Sequence, residues 1–136
     1  MNSEALANLH ARCFTTPRPW RANEFETLLK TSGVFLIHQE CGFALGRIAG
    51  PEAELLTIAV HLDVQNQGLG RQLLQDFFRK AAALRAVDVF LEVAVNNLPA
   101  IALYKTMGFF EVAKREQYFK QTNGPALTAL IMKHSF

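Results

Sequence analysis

Along this chain the apolar residues keep two rhythms. Ala5, Leu6, Leu9 and Cys13 recur at helical intervals behind Ser3, a capping residue, so the spacing predicts a first helix over residues 3–13. Asn23 and Glu26 form a capping-box pattern for a second helix, and residues 15–21, with Pro17 and Pro19, make the loop between the two. Then the rhythm shortens. Residues 34–39 and 42–49 read as a hairpin turned at Glu40-Cys41-Gly42, and residues 54–62 as a third strand. That run is apolar at Leu55, Leu56, Ile58, Ala59 and Val60, which places it centrally in a sheet.

Helical spacing returns from residue 68 to about 85. There Leu69, Leu73, Leu74, Phe77, Phe78, Ala81 and Leu84 form one stripe, with Arg71, Gln75, Asp76, Arg79 and Lys80 mostly off it. Residues 87–95 follow as a buried strand and 98–107 as a short helix that tolerates Pro99 in its first turn. Residues 109–119 make another strand, and 126–133 a last one after the turn Asn123-Gly124-Pro125. With no repeat, linker or low-complexity segment, the expectation is one α/β domain over residues 1–136.

Composition narrows the function classes. Half of the residues (50%) are hydrophobic, which supports a packed core and argues against disorder. The net charge of +2 comes without any Lys/Arg block, so nucleic-acid binding is not expected, while the small positive excess suits an anionic cofactor. Cys13 and Cys41 form no C-x-x-C pair and read as buried thiols of a reducing compartment. His10, His38, His61 and His134 have no metal-ligand spacing, so no metal site is expected. The start lacks a basic and apolar leader, and no apolar run reaches membrane-spanning length; a soluble cytoplasmic protein is expected.

Candidate chemistry begins at Val64-Gln65-Asn66-Gln67-Gly68-Leu69-Gly70-Arg71, where a strand passes into the longest helix. The first N–H groups of a helix have no intrahelical partner and carry the positive end of its dipole, so a phosphate placed there satisfies both. Gly68 and Gly70 let the backbone come close, and Arg71 adds a cation. A P-loop would need Lys-Ser/Thr where Arg71-Gln72 stands, and a dinucleotide fingerprint would need glycine where Leu73 stands. On its own the octet fits a plain strand-to-helix turn as well as a pyrophosphate cradle.

A second pattern lies downstream, Asn97-x-x-Ala100-x-x-Leu103-Tyr104-x-x-x-Gly108-Phe109. Together the octet's Q/R-x-x-G-x-G/A pattern and this signature, in this order, resemble the GCN5-related N-acetyltransferases. Leu91-Glu92-Val93, Ile58-Ala59-Val60, Arg115-x-x-Tyr118-Phe119 and the Pro19-Trp20 pair more narrowly resemble the RimI-type branch, which acetylates ribosomal proteins at an N-terminal alanine. The resemblance covers nearly the whole chain. It implies a mixed, mostly antiparallel sheet with helices on both faces. The family's opening strand is not evident here, so either that edge strand is missing or the start lies short of it. Asn66 for a basic residue, His61-Leu62 for Asp-Pro and Thr128 for an acidic residue are further departures from the pattern, bearing on affinity and substrate fit.

The resemblance also implies roles. Acetyl-coenzyme A is the co-substrate, contacted by Gln65, Asn66, Gln67, Gly68, Leu69, Gly70, Arg71, Asn97 and Tyr104, and by the backbone of Ile58, Ala59 and Val60 along its pantetheine arm. Glu92 is the base and Tyr104 the acid. As residues alone, Glu92 in an apolar strand would be pushed by desolvation toward the working range of a general base, yet it fits equally a carboxylate paired with lysine or arginine. A phenol stays protonated where a thiol ionises, so Tyr104 can donate to a departing thiolate, or it can simply pack in the core. Asn97 can cap the helix it begins. Trp20, Tyr118 and Phe119 are assigned by resemblance to the acceptor groove. The implied acceptor is the α-amine of a ribosomal protein beginning with alanine, with a lysine or small-molecule amine, or a non-catalytic acyl-coenzyme A-binding module, as alternatives. No membrane partner is expected, and the chain is expected to be a monomer or weak dimer.

Overall fold

A computed structural model describes residues 1–13, 19–65, 67–119 and 124–136. Two helices come first, α1 (Ser3–Cys13) and α2 (Ala22–Lys30), then three strands, β1 (Val34–Gln39), β2 (Gly42–Ala49) and β3 (Glu52–Val60). A 3₁₀ turn at Leu62–Val64 leads into α3 (Leu69–Ala83), followed by β4 (Asp88–Ala94), α4 (Leu98–Thr106), β5 (Phe110–Phe119) and β6 (Leu127–Ser135). The six strands lie in the order β1-β2-β3-β4-β6-β5. All neighbours run antiparallel except β3 and β4. The expected mixed, mostly antiparallel sheet is therefore present, with β3 near its middle. Among the described residues no strand precedes α1.

Helix caps differ from the expected ones. Asn2, not Ser3, caps α1, its Oδ1 accepting from the Ala5 N–H at 2.8 Å. At α2 the cap is Arg21, whose backbone N–H donates to Glu24 Oε1 at 3.0 Å, two residues ahead of the expected Asn23–Glu26 box. The third strand likewise begins two residues earlier than expected, and Leu62 belongs to the 3₁₀ turn rather than to β3. The turn expected at 123–125 lies partly outside the described residues.

Alternation along the strands feeds a separate core on each face of the sheet. Ala44, Leu55, Val89, Leu91 and Val93 join Leu74, Phe77 and Ala81 of α3 and Ile101 and Tyr104 of α4. Phe43, Leu45 and Ala59 join Leu6 and Leu9 of α1 and Phe25 of α2 on the other. Gly46 is required by the first core, because the rings of Phe77 and Phe35 occupy the space a Cβ would need. Of the expected α3 stripe, Leu84 is exposed, just past the helix end. The helices on the second face contact β1 and β3, so α1 and α2 cover the β1–β3 half of the sheet.

Candidate active site

A single extra residue opens the sheet. Thr57 pairs with Leu45 of β2, but Leu55 pairs with Gly46, leaving Leu56 as a bulge. A bulge bends its strand and raises the local twist. Parallel pairing between β3 and β4 runs from Glu52↔Asp88 to Leu55↔Leu91 and stops there. Beyond it the facing edges of β3 and β4 diverge, leaving backbone groups without a ladder partner. Into this gap opens a cleft of about 690 Å³, lined by Leu55 to Val60 on one side and Leu91 to Ala94 on the other.

One end of the cleft is closed by helix N-termini. Gly68 caps α3 with φ +83°, a conformation that disfavours any side chain, while an added Cβ there would meet nothing. Gly70 sits inside the helix, where a Cβ would stand 3.2 Å from Leu103 Cδ2. The two glycines thus serve different needs: Gly68 the turn, Gly70 the close approach of α3 to α4. The first α3 hydrogen bond is Gln72 N–H to the Gly68 carbonyl, so the N–H groups of Leu69, Gly70 and Arg71 stand free of the helix ladder. Arg71 lines the cleft and has no carboxylate partner among the described residues. Gln65 also lines it, donating from Nε2 to the Val60 carbonyl at 3.1 Å. Gln67 and Leu69 instead line a separate shallow depression with Gln39, Glu40 and Cys41, so their side chains are not part of the cleft. Asn66 lies outside the described residues. Asn97 caps α4, its Oδ1 accepting from the Ala100 N–H at 3.3 Å, and also borders the cleft.

Glu92 and Tyr104 approach the gap from opposite faces. Tyr104 belongs to the core under α3 and α4, its ring set edge-to-face with Phe109 at a centroid separation of 5.7 Å. Burial pushes its phenol up from the ordinary tyrosine value, so it stays protonated at neutral pH. Its hydroxyl has no hydrogen-bond partner among the described residues, and no buried side-chain polar atom there lacks one; the hydroxyl is therefore open to the cleft. Glu92 alternates onto the other face, since its neighbours Leu91 and Val93 point to the α3 side. The desolvated carboxylate expected from the apolar strand is not what is found. Arg115 Nη1 of β5 lies 3.3 Å from Glu92 Oε1, and 24% of the glutamate side chain remains exposed.

Arg115 also lies over the Tyr118 ring, 5.1 Å from its centroid. The β5 register breaks between Arg115 and Phe119, with Gln117 at φ +53°. That irregularity brings Tyr118 and Phe119 to the wall of the cleft that Trp20 also lines. All three expected acceptor-side aromatics thus share one cavity with Glu92 and Tyr104.

Two residues at or behind this wall, Cys13 and His10, were not singled out for function from sequence. Cys13 donates from Sγ to the Val60 carbonyl at 3.2 Å, and burial pushes its thiol up, which makes it a poor nucleophile. Both cysteines are free and half-buried rather than buried. His10 is wholly buried beside Trp20 and Thr57; its place on the Leu6–Leu9–Cys13 stripe of α1 was the available signal. Among the described residues no cluster of His, Cys, Asp and Glu could hold a metal, and no helix is long and apolar enough to cross a membrane.

Comparison with known proteins agrees with this geometry. The sequence profile of the acetyltransferase (GNAT) family matches residues 3–109. The [Ribosomal protein bS18]-alanine N-acetyltransferase of Escherichia coli (strain K12) is 40% identical over 82 residues, 60% of this chain and 55% of that protein; the match thus spans about half of that relative. The N-alpha-acetyltransferase RimI of Mycobacterium tuberculosis (strain ATCC 25618 / H37Rv) is 32% identical over 136 residues, 93% of this chain and 84% of that protein. The crystal structure of the ribosomal-protein-S18-alanine N-acetyltransferase from Escherichia coli superposes with a TM-score of 0.87 at 30% identity, covering 98% of this chain and 86% of that one. Split sheet, glycine-bearing helix entry and relatives converge: this chain belongs to the acetyltransferase (GNAT) family.

Proposed function

We propose that this chain is an acetyl-coenzyme A-dependent N-acetyltransferase whose acceptor is the α-amine of a protein N-terminus, in particular a ribosomal protein beginning with alanine. The observation that carries the reading is the bulge-opened gap between β3 and β4, with the Glu92 carboxylate on one face and the Tyr104 hydroxyl on the other. The cofactor fits the residues present. The free N–H groups at Leu69, Gly70 and Arg71, with the Arg71 guanidinium, suit a pyrophosphate, and the β3 edge beyond its last β4 pair, at Ile58 and Ala59, suits the amides of a pantetheine arm, the Val60 carbonyl being already engaged by Cys13 Sγ and Gln65 Nε2. Bound there, acetyl-coenzyme A supplies the activated acetyl group.

In this reading the chain's own residues do three things. Glu92 takes a proton from the acceptor ammonium, which makes the amine nucleophilic. As the new C–N bond forms and the C–S bond breaks, the Tyr104 hydroxyl gives its proton to the departing sulfur. Trp20, Tyr118 and Phe119 enclose the acceptor's first residue, while Asn97 fixes the α4 entry that carries Tyr104. The bacterial relatives named for alanine N-acetylation favour the α-amine over lysine or a small-molecule amine.

The deciding experiment is a panel of N-terminal peptides assayed beside polyamines and aminoglycosides, with mass spectrometry of ribosomal N-termini from cells with and without the protein. The expected result is acetylation of an alanine-first peptide and loss of one ribosomal N-acetyl group on deletion. Preference for a polyamine or aminoglycoside would move the chain to a different acceptor class, and no transfer to any amine would leave a binding module.

A further inference from the structure

We infer that His10 is a positioning residue for the acceptor end of the cleft, setting which first residues fit by holding Trp20 in place. The inference rests on the acceptor reading above. His10 is 1% exposed and sits on α1, away from the glycine-bearing helix entry. Its Nδ1 accepts the Trp20 backbone N–H at 3.0 Å, which leaves Nε2 to carry the ring proton and donate to Thr57 Oγ1 at 2.9 Å. The same imidazole stacks on the Trp20 indole, with centroids 5.2 Å apart and planes at 30°, and meets Phe25 edge-on at 5.5 Å.

The two partners are what give this contact a consequence beyond packing. Trp20, in the connection between α1 and α2, lines the cleft, and Thr57 is the residue directly after the Leu56 bulge on the β3 wall. One ring therefore sets the spacing between a loop wall and the strand that opens the gap. Both hydrogen bonds are needed: one fixes where Trp20 stands, the other fixes the ring that holds it. A small shift of Trp20 changes the room for the acceptor's first side chain, and small misplacements in a site are costly in rate. The free α3 N–H groups lie on the other face and are not touched by His10, so cofactor binding should be insensitive to it.

The test separates the two nitrogens. His10→Asn keeps an acceptor oxygen near the Nδ1 position and gives up Thr57, whereas His10→Gln carries its amide out to the Nε2 position and gives up Trp20. Trp20 is the only tryptophan of the chain, so its emission reports its own placement without any acceptor present. In His10→Gln the emission should shift to the red, KM for an alanine-first peptide should rise roughly tenfold and the preference over a leucine-first peptide should narrow, with kcat and acetyl-coenzyme A affinity within a few-fold of wild type. His10→Asn should restore most of the emission and the preference, and Thr57→Val should show a weaker form of the same pattern. Wild-type emission, KM and preference in His10→Gln would overturn the inference, as would equal damage in all three variants accompanied by lost cofactor affinity. A wild-type protein that acetylates no α-amine would sink the acceptor reading, while the emission arm would still decide whether His10 holds Trp20.

Discussion

Mild acid should weaken this fold through a single histidine before the carboxylates titrate. His10 is pulled down from 6.5 to about 4, chiefly because burial strips water from the imidazolium, with the Glu24 carboxylate opposing the shift. In the unfolded chain the same ring protonates near 6.5. Between those two values the unfolded state binds a proton that the folded state refuses, so stability rises with pH across that window. The contribution is fully present above 6.5 and is lost as pH falls through about 4. Integrated over the gap it amounts to about 3 kcal/mol, and about 2 kcal/mol of that is gone on passing from about pH 7.5 to about pH 5. For a chain of this size that corresponds to a fall in Tm of roughly 6 to 10 °C. Urea unfolding followed by circular dichroism at both pH values, on wild type and His10→Gln, measures the term as a difference of differences. His38, His61 and His134 are present in both proteins and cancel. Equal acid sensitivity in the two chains would refute the reasoning, because a glutamine has no proton to exclude.

Three further outcomes follow from the cleft. Glu92→Gln and Tyr104→Phe should each lower turnover by roughly 10² to 10⁴ with acetyl-coenzyme A affinity within a few-fold, and higher pH should partly restore Glu92→Gln; unchanged turnover in a folded variant would make that residue structural. Gly70→Val should weaken cofactor binding in titration calorimetry, because it sets a branched side chain among the free N–H groups of the α3 entry besides crowding Leu103, and wild-type affinity in a folded variant would remove the cradle assignment. An alanine-first peptide should be acetylated far better near neutral pH than an N-blocked lysine peptide, because about 300-fold more of an α-amine is already neutral; comparable kcat/KM values would sink the α-amine preference.

Local pattern carried most of the fold because most of these elements are specified locally. The β1 and β2 limits follow from two apolar runs either side of the two-residue turn Glu40-Cys41, and α3 follows from the Leu73, Leu74, Phe77, Ala81 stripe that its core requires. What pattern could not supply is pairing. Leu56 becomes a bulge only because β2 offers Gly46 to Leu55 and Leu45 to Thr57, a fact about a partner strand that no property of Leu56 announces. The cleft, and with it any route between the two faces of the sheet, is a consequence of that register.

The same distinction explains the site. Glu92 and Tyr104 were visible as residue types in a family-like setting, but the state of Glu92 depends on Arg115, which reaches it from β5 across the intervening β6. With a guanidinium beside it and part of its side chain in reach of water, the carboxylate is ion-paired rather than enclosed in the core, which its apolar flanks alone do not announce. On the proposed reading, an acceptor ammonium that reaches Glu92 has to compete with Arg115 for the carboxylate. Arg115 is half exposed and has the Tyr118 ring as a second resting place, so the ion pair can yield without stranding a buried charge. On that reading the register break that carries Tyr118 to the cleft wall serves twice, bordering the proposed acceptor groove and offering the Tyr118 ring to the arginine when the ion pair opens.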